Sequence, residues 1–126
     1  MLNDKPLMPQ IAVKDINVAK KFYGETLGLP QKDIPIPDIA VYESGGIMFN
    51  VYQSPDFAGT NKATYAGWMV DDVSAAVKDL KSKGVTFEHY DFLEAEIIDD
   101  VHIFGDTQTA WFKDPDGNIL AIFNSS

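Results

Sequence analysis

A chain of 126 residues with 45% hydrophobic and 23% charged side chains is the size of one ordinary domain and can fold around its own core, so disorder and fibrous structure are excluded. The absence of cysteine excludes disulfides, thiolate metal sites and a cysteine nucleophile. A net charge of −9 with scattered lysines argues against nucleic acid as a partner, and no stretch approaches the ~18 apolar residues of a membrane span, so the expected location is the cytoplasm, away from any membrane.

In chain order, the alternating run IAVKD ends at Asp15, a good helix N-cap, and Ile16, Val18, Ala19, Phe22, Tyr23 and Leu27 follow at helical spacing until Gly28 stops the helix. Pro30, Pro35 and Pro37 make the next segment a loop, with room for one short strand near Pro30. IAVYES and IMFNVYQS then form a hairpin turned at Gly45 and Gly46. The second half repeats this order. ATYAGWMV reads as a strand, and Asp71 or Asp72 caps a helix whose face carries Val73, Ala76, Val77 and Leu80 and which Gly84 ends. VTFEHYDF, TAWFK and NILAIF read as strands, the last two joined by the turn Asp114, Pro115, Asp116, Gly117. Those turn residues resemble a catalytic motif, but their spacing is that of a tight turn and their role is structural.

Asp15 matches Asp72 at an offset of 57, whereas Gly46 matches Gly117 at an offset of 71, so the second half holds 14 extra residues. They fall within 93–106, a stretch that fits no strand pattern and reads as a lid or a loop; it carries Glu94, Glu96, Asp99, Asp100 and His102.

Three segments, VKDINVAKKFYGETLGL, VDDVSAAVKDLKSKGVTF and WFKDPDGNILAI, resemble in order and spacing the superfamily of glyoxalase I, bleomycin-resistance proteins and extradiol dioxygenases. The resemblance implies an α+β fold of two βαβββ modules forming an open, cupped, barrel-like sheet. One glyoxalase-like domain would span 1–126, with module one at about 6–56 and module two at about 62–126. It also implies four inward positions that usually supply His, Glu or Gln to one divalent metal. Carried over, these fall on Met8, Asn50, Tyr65 and Ala121, a poor donor set for any of the usual cations. No metal or other cofactor is therefore expected.

Strand alternation sets Met8, Gln10, Ala12, Met48, Asn50, Tyr52, Tyr65, Gly67, Met69, Ala121 and Phe123, with Trp111, toward the cup, and Ile11, Val13, Ile47, Phe49, Val51, Trp68, Val70, Phe112, Leu120 and Ile122 toward the helices. A cup of Met and aromatic side chains with a few amides suits a flat apolar, aromatic or cationic small molecule, held by stacking. The same side chains could instead fill the cup or pack across a dimer boundary. The bleomycin-resistance likeness implies a homodimer that sequesters its ligand without transforming it. The competing enzyme reading, a glyoxalase-type lyase, isomerase or dioxygenase, has His102, Glu94 or Glu96 act as acid–base groups or displaced metal ligands; a third reading is an interaction module. On the bland reading, His102 is a solvated loop residue and His89 an exposed strand residue.

Overall fold

The computed structural model describes residues 1–124, which form two compact units, 1–58 and 59–124. The first opens with a one-turn 3-10 helix, Leu2–Asp4, and contains β1 (Gln10–Val13), α1 (Ile16–Lys20), β2 (Gln31–Lys32), β3 (Ile39–Ser44) and β4 (Ile47–Gln53). Its sheet runs β1-β4-β3-β2, with β1 parallel to β4 and the other pairs antiparallel.

Helix α1 begins where the sequence places it because Asp15, in extended backbone, accepts the Asn17 N–H at 2.8 Å. The neighbouring free N–H, that of Ile16, donates to Gln53 Oε1 at 2.9 Å, which ties the helix start to the end of β4. The helix widens into a π turn over Lys21–Thr26, and Gly28 ends it in the left-handed region (φ 71°) that a glycine enters without steric cost. Ile16, Ala19 and Tyr23 are buried, and the helix packs on β3 and β4. Tyr23, Tyr42 and Phe49 form a ring cluster with centroids about 6 Å apart. Ile11, Val13 and Val51 complete this core; burying each branched side chain contributes roughly 1.5–3 kcal/mol before the entropy of ordering it.

The second unit contains β5 (Thr64–Met69), α2 (Val73–Ser82), β6 (Phe87–Glu88), a 3-10 turn at Asp91–Leu93, β7 (Glu96–Ile98), β8 (Val101–Phe104), β9 (Thr107–Lys113) and β10 (Ile119–Phe123). Its sheet runs β5-β10-β9-β8-β7, and β6 pairs with β9 on the edge that β8 also uses. Of the two candidate caps, Asp72 is the one used, accepting from Ala75 N at 3.0 Å. Val73 and Val77 turn inward as α2 packs on β8, β9 and β10, over Phe112, Leu120 and Ile122. The turn after β9 is held by Asp114, whose Oδ1 accepts from Asp116 N (3.0 Å) and Asn118 N (2.9 Å) and whose Oδ2 accepts from Asn118 Nδ2 (2.7 Å).

Two expectations are corrected. The run VTFEHYDF supplies only the two strand residues Phe87 and Glu88, because the chain leaves the β9 edge there and turns through Asp91–Leu93. The stretch 93–106, read as patternless, contains the hairpin β7–β8. Its two-residue turn is Asp99 and Asp100, both left-handed (φ 49° and 71°), the geometry that matches strand twist but carries neither of the glycines that usually announce it.

Candidate functional site

Each sheet has one face covered by a helix and one turned away from it, and the expected ligand-binding residues lie on the latter, except Met8, which precedes β1. In the first unit the β1–β4 register aligns Gln10 with Asn50 and Ala12 with Tyr52. Asn50 Nδ2 donates to Gln10 Oε1 at 3.0 Å, and Gln10 Nε2 donates to the Met8 carbonyl at 3.4 Å. Met8, Asn50 and Tyr52 are half-buried, Gln10 is exposed, and Met48 is 43% exposed. Phe49 and Val51, one residue out of phase, are buried. Ile47 also belongs to the helix-facing phase, yet it is exposed because it opens β4 at the hairpin end.

In the second unit one row of the sheet reads Gly67, Ala121, Trp111 and the next reads Met69, Phe123, Thr109. Trp111 Nε1 donates to Thr64 Oγ1 at 3.2 Å, so the indole reaches across β10 toward β5. Gly67 is required here: a Cβ would lie 2.7 Å from the Phe123 ring. Tyr65, Trp111 and Phe123 are half-buried, Met69 is largely exposed, and Ala121 is buried.

His102 is not the solvated loop residue of the bland reading. It lies on β8, is fully buried, and pairs with Thr109, which sets it on the Trp111 face. Its ring meets Trp111 edge to face at 4.9 Å between centroids, and Tyr90 packs on both rings. Tyr90 N donates to His102 Nε2 at 2.9 Å, so the neutral ring carries its proton on Nδ1. Burial and the nearby His89 lower the His102 pKa below its ordinary 6.5, against weaker pulls from Asp91 and the Thr109 backbone. His89, just past β6, is half exposed and lies 2.6 Å from Asp100, which also receives Lys81 at 2.6 Å. These contacts hold the Asp100 carboxyl below the usual carboxylate range.

The structure does not bring Glu94, Glu96 and His102 to one face. Glu96 pairs with Ile103, the neighbour of His102, and therefore lies on the opposite face; Glu94 is exposed at the left-handed end of the 3-10 turn. Among the described residues no group of three His, Asp or Glu side chains is placed to hold a metal ion. The residues at the superfamily's usual ligand positions do not fit a metal either: a thioether, an amide engaged with Gln10, a phenol and a methyl group supply no carboxylate or imidazole. The sequence gives no warning of Tyr90, whose place over Trp111 depends on where the hairpin returns to β9.

No helix among the described residues is long and apolar enough to cross a membrane. Comparison with curated proteins finds no match. Among solved structures, a glyoxalase/bleomycin resistance protein/dioxygenase from Alicyclobacillus acidocaldarius aligns with a TM-score of 0.73 at 20% identity, covering 96% of this chain and 91% of that one. A glyoxalase/bleomycin resistance protein from Catenulispora acidiphila aligns with a TM-score of 0.72 at 20% identity, covering 96% and 98%. A lactoylglutathione lyase from Agrobacterium tumefaciens aligns with a TM-score of 0.63 at 16% identity, covering 96% and 94%. At these identities the likeness shows the fold, an α+β fold with open mixed sheets. The family model for the glyoxalase/bleomycin resistance protein/dioxygenase superfamily matches residues 6–122, and the chain belongs to that superfamily.

Proposed function

We propose that this protein is a small-molecule-binding member of its superfamily, one that takes a flat apolar or aromatic molecule against the open sheet faces and works without a metal cofactor. The observation that carries the proposal is the chemistry of those faces. On the side turned from its helix, the first unit's sheet carries Met48 in solvent with Tyr52, and the second unit's sheet carries Met69 in solvent with Tyr65, Trp111 and Phe123. Polarizable thioethers and aromatic rings attract planar ligands by stacking and dispersion, and the Gln10 and Asn50 amides supply orientation without charge. The same reading treats residues 1–126 as one domain of two modules that acts as a homodimer in the cytoplasm, as the bleomycin-resistance likeness implies.

The competing reading, a glyoxalase-type lyase or dioxygenase using Glu94, Glu96 or His102, is disfavoured because Glu96 lies on the face opposite His102 and Glu94 is exposed. A thermal-shift screen of chelator-treated protein against divalent metals and a panel of flat aromatic compounds separates the readings. A ligand at ~100 times its Kd adds about 2.7 kcal/mol, which raises the midpoint by several degrees. The proposal expects aromatic compounds to do this. A specific rise with nickel, zinc, manganese or iron alone would overturn it in favour of the enzyme, and no response to either class would favour an interaction module.

A further inference from the structure

His102 is a fully buried polar side chain beside Trp111 and Tyr90, with one ring nitrogen committed and the other not. Nε2 accepts the Tyr90 N–H, which leaves the proton on Nδ1, and Nδ1 is buried without a hydrogen-bond partner. The Thr109 backbone favours the protonated ring weakly but closes no hydrogen bond of normal geometry to Nδ1. A buried donor left unmatched is costly, and an acceptor brought to it recovers that cost.

The ring packed against both His102 and Trp111 is Tyr90, whose centroid lies 6.0 Å from that of His102 and 5.3 Å from that of Trp111. Its hydroxyl is likewise buried without a partner, so no hydrogen bond of the phenol opposes its moving away. The turn that follows it is held by local bonds, Leu93 N to Tyr90 O and Glu94 N to Asp91 O, while the Tyr90 N bond to His102 anchors the backbone of Tyr90 itself. Phe92 on the same turn is 79% exposed, and Glu94 closes the turn at φ 55°. Few buried contacts and short-range bonds are the marks of a segment that opens at low cost.

We propose that His102 Nδ1–H is the hydrogen-bond donor of the ligand site and that Tyr90 is its cover, so that the ligand is a flat aromatic molecule bearing an acceptor, a ring nitrogen or carbonyl oxygen, in the plane of its ring. When the Tyr90 side chain rotates out with its backbone in place, the ligand stacks on Trp111 and its acceptor takes the Nδ1 proton in a hydrogen bond while Nε2 keeps the Tyr90 N–H. This inference rests on the small-molecule reading above.

The test uses the full chain with 15N-labelled histidine at pH 7.5 and two probes of one shape, quinoline and naphthalene, which differ by a single acceptor nitrogen. Quinoline is expected to bind about fivefold more tightly, the worth of one neutral hydrogen bond, and to move the His102 Nδ1 resonance. H102F is expected to abolish the difference between the two probes, and H102N, which restores an N–H near Nδ1, to recover part of it. Y90A is expected to speed association of both probes. Equal affinities for the two probes with an unmoved His102 resonance would overturn the donor assignment and leave the small-molecule reading standing. Unaltered association in Y90A would overturn the cover. Failure of both probes to bind wild-type protein would overturn both readings for this class of ligand. If H102F does not fold, the wild-type Nδ1 resonance decides.

Discussion

Asn118 is the residue whose loss the structure allows to be worked through most fully. Its side chain is fully buried and bonded at both ends: Nδ2 donates to the Asp114 carboxylate at 2.7 Å, and Oδ1 accepts the Gly59 N–H at 3.1 Å. It thus fastens the start of the second unit to the turn between β9 and β10, where Gly59, at φ 70°, approaches the Asp116 carbonyl so closely that no Cβ would fit. Asn118→Ala removes a hydrogen bond to a charged group, worth about 2 kcal/mol, and strands the partly buried Gly59 N–H at about 1 kcal/mol. The Asp114 carboxylate keeps its two backbone donors, which limits the loss. The total is roughly 3 kcal/mol out of a typical 5–15. Urea unfolding followed by far-UV circular dichroism should move the midpoint down by about 2 M, for a slope near 1.5 kcal/mol/M, and the thermal midpoint should fall by about 10 °C. A variant within about 0.5 kcal/mol of wild type would refute the argument, because it would mean that water replaces both bonds at no cost.

The neutral His102 makes stability depend on pH with a definite sign: its folded pKa lies below the ordinary 6.5, so below that pH the unfolded chain takes up a proton that the folded chain refuses. Stability from this group is present above 6.5 and declines as pH falls toward the lower folded value, and urea midpoints between pH 8 and 5.5 should show a slope that H102F lacks. Asp100→Asn weakens two contacts at a partly exposed turn, so it should cost no more than about 1 kcal/mol, with the difference from wild type shrinking in high salt. Gly67→Ala should cost about 1–3 kcal/mol by pushing the Phe123 ring off the open face, visible as displaced Phe123 ring resonances, whereas Ala66→Gly would leave that ring in place.

Much of the fold is written locally. Asp15 and Asp72 cap their helices through bonds that span two or three residues, Gly28 and Gly84 end them with positive φ, and Asp114 closes a turn with its own neighbours. Period-2 alternation likewise sorts Phe49 and Val51 from Met48 and Asn50, because successive side chains of a strand point to opposite faces whatever the strand pairs with. The superfamily resemblance, also carried by short motifs, is what places Met8, Asn50, Tyr65 and Ala121 at the usual ligand positions from the sequence alone.

What the sequence by itself did not determine is the region 87–106, where the deciding contacts are long-range. Glu88 leaves the edge of β9, the Asp99–Asp100 turn forms without glycine, and β8 returns to the same edge some 14 residues later, a choice of pairing that no local periodicity encodes. That return converts His102 from an apparent loop residue into a buried one, carries Tyr90 over Trp111, and sends Glu96 to the other face. Alternation fixes only which residues share a face, and it was the tertiary pairing of β8 with β9 that decided which face His102 would occupy.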